Sequence, residues 1–250
     1  MEKYIQAETL IKDSLAQLDI EISSKQVEQL FMFYDMLIEK NKVMNLTGIT
    51  EIRDVVLKHF VDSVSIVKVI DKSKFQEGIS IIDVGTGAGF PGIPLKIIFP
   101  NINIVLLDSL NKRLVFINEV IEKLSLNGIT TIHGRSEDIA RKKEYRDEFD
   151  LCVSRAVANL STLCELCLPF VKVNGHFISY KAGNPTQEIE EATFAIEKLG
   201  GKRESVVSFF LPDSDINRVF VNIKKCKSTS KAYPRKAGTP AKEPLVRNNK

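Results

Sequence analysis

The chain has 250 residues, of which 44% are hydrophobic and 27% are charged, and its net charge is +3. This length and composition are typical of an ordinary globular protein with one main domain. Its apolar runs are too short to span a bilayer, its first residues lack the order of a signal peptide, and its four cysteines are too few for a secreted disulfide scaffold. We therefore expect a soluble, cytoplasmic protein with no membrane partner.

The charge is distributed unevenly along the chain. Residues 1–72 carry nine Lys and Arg against twelve Asp and Glu, or −3, whereas residues 224–250 carry nine Lys and Arg against one Glu, or +8. Such a basic terminal segment indicates a polyanionic partner. A solvated segment that only aids solubility would have the same composition, so charge alone leaves both interpretations open.

Residues 1–72 are predicted to form a small helical cap on a larger body that spans residues 73–225, with residues 226–250 as a basic tail. Two apolar stripes at helical spacing support the cap. The first comprises Val27, Leu30, Phe31, Tyr34, Leu37 and Ile38, and the second comprises Val56, Phe60, Val64 and Val67. Ser24 is a candidate N-cap for the first of these helices.

From residue 80 onward, short apolar runs alternate with helical stretches. The runs are 80–84, 102–108, 130–133, 149–154, 175–181, 206–211 and 219–224. Apolar strands separated by helices predict a doubly wound α/β fold, in which a parallel sheet is covered on both faces. The link between the last two runs is too short for a helical crossover, so these strands should form an antiparallel hairpin. A Rossmann-like seven-stranded sheet ending in such a hairpin is typical of class I S-adenosylmethionine-dependent methyltransferases.

A glycine-rich loop follows the first predicted strand. Gly85, Gly87 and Gly89 alternate along it, and the absence of a Cβ lets the backbone turn sharply and lie against a ligand. Asp83 precedes the glycines, where its carboxylate could reach the ammonium group of S-adenosylmethionine directly or through water. Dinucleotide-binding folds carry a similar loop, and a glycine turn that only packs a helix on a sheet is a further alternative.

Three more strand ends carry candidate ligand-binding residues. Asp108 ends the second strand and could accept hydrogen bonds from a ribose diol, or it could be a surface residue that caps the next helix. The loop after the third strand holds Ser136 and Glu137 and is placed to close over an adenine, although Ser136 or Asp138 could instead be an N-cap. Arg155 follows the fourth strand, where it could meet the carboxylate of a cofactor or an RNA phosphate.

Some motifs are absent, and their absence narrows the chemistry. No Asn/Asp-Pro-Pro-aromatic motif follows the fourth strand, which argues against methylation of an exocyclic amine, and no Pro-Cys pair supplies a nucleophile for C5 of a pyrimidine. Cys164 and Cys167 have the spacing of a metal pair but lie in an apolar helix without a second pair, so we interpret them as structural. We predict no metal site.

Several motifs of the chain resemble one bacterial family, the 16S rRNA (guanine-N7)-methyltransferases, also called glucose-inhibited division protein B. They are Asn-Leu-Thr at 45–47, His-Phe-Val-Asp-Ser at 59–63, the glycine loop and its continuation Phe-Pro-Gly-Ile-Pro-Leu at 83–95, Ser-Arg-Ala at 154–156, and Tyr-Pro-Arg-Lys-Ala-Gly-Thr-Pro at 233–240. The resemblance covers nearly the whole chain. It implies a helical cap on a class I methyltransferase domain.

The resemblance also implies methyl transfer from S-adenosylmethionine to N7 of one guanine in small-subunit rRNA, with that RNA or the small ribosomal subunit as partner. The cofactor contacts that it implies are Gly85, Phe90, Ser136, Glu137 and Arg155, to which the arguments above add Gly87, Gly89 and Asp108. N7 of guanine has a free lone pair and no proton, so it can attack a sulfonium methyl without a general base. We therefore nominate no catalytic side chain, and we expect a monomer.

Two other functions fit parts of the pattern. An NAD-dependent oxidoreductase could use the same glycine loop and Asp108, but it would need a substrate domain with a proton donor. A non-enzymatic RNA-binding protein could keep the fold without binding the cofactor. In the tail, Arg235, Lys236, Lys242 and Arg247 could contact RNA phosphates, or residues 233–234 could pin the tail to the body.

Overall fold

The structure, a computed structural model, describes residues 2–155 and 158–247. Ala156, the last residue of the Ser-Arg-Ala motif, lies outside the described residues. The strands are β1 (Ser80–Val84), β2 (Asn103–Asp108), β3 (Ile129–His133), β4 (Phe149–Ser154), β5 (Val171–Ala182), β6 (Gly201–Phe210) and β7 (Asn217–Lys225). They form one seven-stranded sheet in the order β3-β2-β1-β4-β5-β7-β6.

The first five strands are parallel, and β7 is antiparallel to both β5 and β6. The predicted α/β sheet with its C-terminal hairpin is therefore confirmed. Two strands begin four or more residues earlier than predicted, β5 at Val171 rather than residue 175 and β6 at Gly201 rather than residue 206. The added residues of β6 include Lys202, Arg203 and Glu204. Because β6 is an edge strand with no fully buried residue, its apolar pattern is weak.

Helices cover both faces of the sheet. The α-helices are α1 (Glu2–Ala16), α2 (Ser24–Met44), α3 (Ile52–Val55), α4 (Asp62–Val64), α5 (Lys72–Gln76), α6 (Gly92–Ile98), α7 (Asn111–Lys123), α8 (Ser136–Ile139), α9 (Leu160–Cys167), α10 (Thr186–Glu191), α11 (Thr193–Lys198) and α12 (Thr239–Lys242). A π-helix, Val56–Val61, joins α3 to α4, and short 3-10 helices span Ser65–Lys68 and Leu168–Phe170. Among the described residues, none of the helices combines the length and apolar composition that crossing a membrane requires.

The N-terminal helices pack on the same face of the sheet as α6 and α7. Phe33 of α2 stacks on Phe60 of the π-helix at a ring-centroid distance of 6.0 Å and lies 5.1 Å from the ring of Phe90 in the glycine loop. The N-cap of α2 is Ser23 rather than the predicted Ser24, because Ser23 and Gln26 form a reciprocal capping box. Aromatic packing thus ties the helical cap directly to the loop that follows β1.

The chain beyond β7 returns to the body of the protein. Arg146 donates hydrogen bonds to the carbonyls of Thr229 and Tyr233, at 2.7 and 3.1 Å, and Arg141 donates to the carbonyl of Pro234. These contacts carry the segment past α8 and α9 to the carboxyl edge of the parallel strands. Pinning of the tail near Tyr233 and Pro234, one of the two alternatives for this segment, is what the structure shows.

Candidate active site

A cavity of about 550 Å³ lies at the carboxyl ends of β1, β2 and β4. Ligands bind at this edge in doubly wound folds, and the volume is in the range of small-molecule sites. The predicted site residues that line it are Gly85, Gly87, Phe90, Asp108, Ser136, Glu137 and Arg155. The fold thus brings together residues that are up to 70 positions apart in the sequence, from Gly85 to Arg155.

The glycine loop contributes a backbone surface to this cavity. Gly87 has a φ of +62°, and a Cβ built on it would meet no protein atom within 4 Å, so the space beside it belongs to the cavity. Gly89 differs from the prediction, because it faces α6 and a Cβ there would lie 2.4 Å from the Cδ1 of Ile93. Gly89 therefore permits close packing of the loop on the helix rather than ligand contact.

Asp83 does not reach the cavity, which corrects the expectation that it meets the cofactor. The side chain is fully buried, and its Oδ2 accepts hydrogen bonds from Thr86 Oγ1 at 2.7 Å and from the Gly92 amide at 3.0 Å. Its Oδ1 has no hydrogen-bond partner among the described residues. Burial raises the pKa of this carboxyl to about 7. Asp83 therefore holds the two ends of the glycine loop together from beneath.

Asp108 is buried at the cavity wall, 4% exposed, and is not the surface residue of the alternative interpretation. Its Oδ2 accepts from the Gly87 amide at 2.9 Å and from the Arg113 guanidinium at 3.3 Å, and its Oδ1 accepts from the Leu110 amide at 2.8 Å. The carboxylate thereby links the glycine loop to the start of α7. Three donors compensate the cost of burying its charge.

Ser136 and Glu137 line the cavity from the start of α8. The N-cap position of this helix is Arg135, so neither Ser136 nor Asp138 is the N-cap that the alternative interpretation proposed. The hydroxyl of Ser136 donates to the carbonyl of Leu166. The Glu137 carboxylate accepts a hydrogen bond of 2.7 Å from the amide of Gly238, far along the chain. Contacts with α9 and with the tail thus fix these two residues.

Arg155 is held by three groups from the helical cap. Its guanidinium donates to the carbonyl of Lys58 at 2.9 Å, to Asp62 Oδ2 at 3.0 Å and to His59 Nδ1 at 3.1 Å. The guanidinium carbon also lies 5.1 Å from the centroid of the Phe90 ring, within the range of a cation–π contact. The cap therefore orients the basic group at the carboxyl end of β4.

His59 is a cavity residue that the sequence interpretation did not nominate, although it lies in the His-Phe-Val-Asp-Ser motif. His59 Nδ1 lies 3.1 Å from Arg155 Nη2, which can only donate, and 3.1 Å from the Lys58 carbonyl oxygen, which can only accept, and Nε2 lies 3.0 Å from Thr47 Oγ1. Burial, with the nearby Arg155 charge, lowers the pKa of His59 to about 3. The imidazole is consequently neutral at physiological pH.

Asp62 joins two arginines from different strands beneath this cluster. Its Oδ2 pairs with Arg155, which follows β4, and its Oδ1 accepts from Arg218 Nε at 2.9 Å at the start of β7. The carboxylate side chain is 3% exposed, and the arginine side chains are 19% and 17% exposed. Because the three side chains are largely shielded from solvent, this network of one aspartate and two arginines links the helical cap to the sheet.

Arg235 departs from the expectation that it contacts RNA phosphates. Its amide, Nε and Nη2 all donate to the carboxylate of Glu165 on α9, at distances of 2.7 to 3.2 Å, and the Glu165 side chain is fully buried. Hydrogen bonding to Glu165 raises the pKa of Arg235 above its ordinary value. Lys236, Lys242 and Arg247, in contrast, are exposed. Of the four basic residues predicted to contact phosphates, these three remain candidates.

Cys164 and Cys167 are fully buried in α9. Burial raises the pKa of both thiols well above the ordinary value, which disfavours the thiolate form that binds metals. The two side chains belong to the apolar cluster on the face of the sheet opposite to the N-terminal helices. This environment matches their interpretation as structural residues.

One family model, described as rRNA small subunit methyltransferase G, matches residues 26–217. The chain is 52% identical over 233 residues to the ribosomal RNA small subunit methyltransferase G of Lachnoclostridium phytofermentans, a match that covers 93% of this chain and 95% of that protein. It is 47% identical over 245 residues to the protein of the same name from Acetivibrio thermocellus, covering 98% and 99% of the two chains. The resemblance inferred from the motifs is confirmed.

Solved structures match at much lower identity. MtNAS in complex with MTA and tNA aligns with a TM-score of 0.51 and 18% identity, covering 78% of this chain and 74% of that chain. TYW2 of P. horikoshii in complex with MeSAdo aligns with a TM-score of 0.52 and 12% identity, covering 68% and 63%. At such low sequence identity these matches are evidence for the fold alone. The predicted class I methyltransferase fold is confirmed.

Proposed function

The chain belongs to the rRNA small subunit methyltransferase G family, and we propose that it transfers a methyl group from S-adenosylmethionine to N7 of a guanine in 16S rRNA. The observation that carries the proposal is the pair of charged groups beside the glycine loop. Asp108 ends β2 and Arg155 follows β4, and these strands flank β1 on either side. A cofactor with a ribose diol and an amino-acid carboxylate matches that pair of groups.

The residues of the cavity have the chemistry to hold this cofactor. The open side of Gly87 gives a cradle that a side chain would fill. Asp108 would accept the ribose hydroxyls, Arg155 would bind the carboxylate, and the backbone near Ser136 and Glu137 would border the adenine. The bound cofactor supplies an electrophilic methyl on a sulfonium. Gly85 and Phe90 complete the wall, and Gly89 supports it from behind.

The transfer step needs positioning more than proton chemistry. N7 of guanine has no proton to lose, so the chain needs no general base, and near-attack alignment can contribute about 7–11 kcal/mol. The product is a cationic purine. His59, whose pKa is lowered to about 3, is neutral and adds no further positive charge to a cavity that already holds Arg155. The role proposed for these residues is therefore to orient substrate and cofactor in a shielded site.

Cofactor binding separates this function from an oxidoreductase. Among the described residues, one short helix, Thr239–Lys242, follows β7. We expect calorimetric titration to detect S-adenosylmethionine binding with a stoichiometry of one and no binding of NAD. Binding of NAD alone would favour the oxidoreductase, and binding of neither would favour a non-enzymatic RNA-binding protein.

We predict that Asp108→Ala weakens S-adenosylmethionine binding by roughly ten- to a hundredfold, because hydrogen bonds to charged groups contribute about 1.5–3 kcal/mol. The affinity for RNA should be unchanged. Asp150→Ala is the matched control, since Asp150 pairs with Lys172 and Ser80 at the opposite edge of the sheet. A loss of RNA affinity without a loss of cofactor affinity would contradict the role of Asp108.

The methylated atom can be tested with a modified RNA. We expect methyl transfer to 16S rRNA transcribed with guanosine and none to the same RNA transcribed with 7-deazaguanosine, which lacks the N7 lone pair. A transcript with 7-deazaadenosine is the matched control and should be methylated normally. If the naked transcripts are poor acceptors, reconstituted small subunits that contain them serve as substrate. Equal transfer to both modified RNAs would exclude N7 of guanine.

The exposed tail lysines give a salt-dependent prediction. Changing Lys236 and Lys242 to Ala should weaken RNA binding and reduce the slope of log K against log salt by roughly one per lost phosphate contact. Changing Lys25 and Lys198, which are also exposed, should leave the slope unchanged. Slopes that respond equally to both pairs of substitutions would rule out a specific contact by the tail.

We further expect the enzyme to act as a cytoplasmic monomer.

A further inference from the structure

The end of the chain forms part of the cavity wall. Residues 233–241, here called the closing segment, bring Gly238 and Ala241 to the lining of the cavity. The rest of the lining comes from the helical cap, the strand ends and their loops, and the helices α8 and α9. The closing segment is added by a chain that returns after the last strand, so its presence at the site depends on the contacts that hold it there.

One contact ties the closing segment directly to a proposed cofactor residue. The amide of Gly238 donates a 2.7 Å hydrogen bond to Oε1 of Glu137, which is 7% exposed at the cavity. Gly238 adopts a φ of +84°, which turns the chain at this point. The orientation of the Glu137 carboxylate therefore depends on where the closing segment lies.

The strongest anchor of the closing segment is the ion pair between Glu165 and Arg235. The carboxylate is fully buried and receives the Arg235 amide at 2.7 Å, Nη2 at 2.7 Å and Nε at 3.0 Å. The guanidinium also donates to the carbonyl of Glu243, beyond the segment. A buried carboxylate without these donors would be strongly unfavourable, so the pair fixes the segment at one place.

A second anchor lies three residues away from Glu165 on α9. Thr162 Oγ1 donates a buried hydrogen bond of 2.9 Å to the carbonyl of Pro240. Pro240 is itself buried, whereas Lys236, next to Arg235, is exposed. Thr162 and Glu165 of α9 thus hold the closing segment at Pro240 and at Arg235.

We propose that Glu165 and Arg235 are positioning residues that hold residues 233–241 as the closing wall of the cofactor cavity, so that cofactor affinity depends on this ion pair. The inference rests on the proposed function of the cavity. It assigns the basic tail two separate tasks. Arg235 faces inward and supports cofactor binding, and the exposed lysines are left for contact with RNA.

The test compares two neighbouring residues. Arg235→Met should weaken S-adenosylmethionine binding about tenfold or more, because it removes the charged hydrogen bonds to Glu165 that hold the closing segment at the cavity. Lys236→Met, the matched control, should leave that affinity unchanged. With cofactor at saturation, kcat and the KM for rRNA should be retained in Arg235→Met, so that the defect is confined to the KM for the cofactor. Arg235→Lys should restore part of the affinity, because it keeps the charge but not the fork of donors.

Hydrogen exchange provides a readout that a purely structural anchor would not change. Because coupling between two sites is reciprocal, S-adenosylmethionine should slow amide exchange of Arg235 and Gly238 in the wild-type protein. In Arg235→Met, S-adenosylmethionine should slow the amide exchange of residues 235 and 238 less than it does in the wild-type protein. Exchange in the closing segment that does not respond to the cofactor would overturn the proposal.

Two further outcomes keep the proposal open to refutation. The proposal is overturned if Arg235→Met folds and binds S-adenosylmethionine with wild-type affinity. If that variant does not fold, Thr162→Val replaces it, with an expected loss of about threefold or more, and an unchanged affinity again overturns the proposal. Failure of the wild-type protein to bind S-adenosylmethionine would instead refute the proposed function, so the two failures are distinguishable.

Discussion

Gly87→Val is expected to abolish S-adenosylmethionine binding while the protein remains folded. The side chain would project into the cavity, where a Cβ meets no protein atom within 4 Å, and so it would occupy the volume assigned to the ligand. The φ of +62° adds a strain of about 1–3 kcal/mol, small enough for a protein of this size to tolerate. Calorimetry measures the loss of binding, and circular dichroism checks the fold.

Gly183→Val is the matched control for this prediction. Gly183 has a φ of +69° and open space around its Cβ, but it does not line the cavity. The control should therefore carry a similar backbone strain and retain cofactor binding. Loss of binding in both variants would show that strain, rather than the filled cavity, is responsible. Wild-type affinity in Gly87→Val would refute the position of the cofactor.

Asp62→Ala is expected to lower the free energy of unfolding by about 3–5 kcal/mol, because it leaves the charges of Arg155 and Arg218 shielded and unpaired. At roughly 2–4 °C per kcal/mol for a chain of this length, thermal denaturation should show a clear decrease of Tm. Cofactor affinity should fall as well, since Asp62 helps to orient Arg155. Differential scanning calorimetry and cofactor titration measure the two effects.

A surface aspartate provides the comparison for Asp62. Asp54 pairs with Lys58 at 3.0 Å, one helical turn away, and its side chain is 44% exposed. Asp54→Ala should change the unfolding free energy by less than about 1 kcal/mol, as for other exposed pairs. Equal destabilisation by the two substitutions would contradict the structural importance of the buried ionic network.

Features that depend on local sequence were predictable. The glycine loop, the apolar strands and the C-terminal hairpin follow from patterns within a few residues, and strand order then brings Asp108 and Arg155 to the same edge of the sheet. A carboxylate at a strand end and a basic residue at another strand end are visible in the sequence without knowledge of their partners. Ligand chemistry could therefore be inferred before any distance was known.

Features that depend on distant partners were not predictable in this way. The sequence shows Arg235 only as one basic residue of a basic tail, and its ion-pair partner, the buried Glu165, lies 70 residues earlier in an apolar helix. Asp83 precedes the glycines as a ligand-binding carboxylate would, yet the pleat of β1 turns its side chain beneath the loop. His59 lines the cavity from a π-helix, a helix type that periodicity at α-helical spacing does not reveal.

The most direct test of the central claim is to identify the base that the enzyme methylates. Small ribosomal subunits or 16S rRNA from cells that lack this activity would be incubated with the protein and methyl-labelled S-adenosylmethionine, and the digested RNA would be analysed by mass spectrometry. We expect label in 7-methylguanine at a single position, retained with Gly183→Val and lost with Gly87→Val. Label in another base, or no transfer with S-adenosylmethionine by a folded protein on either substrate, would contradict it.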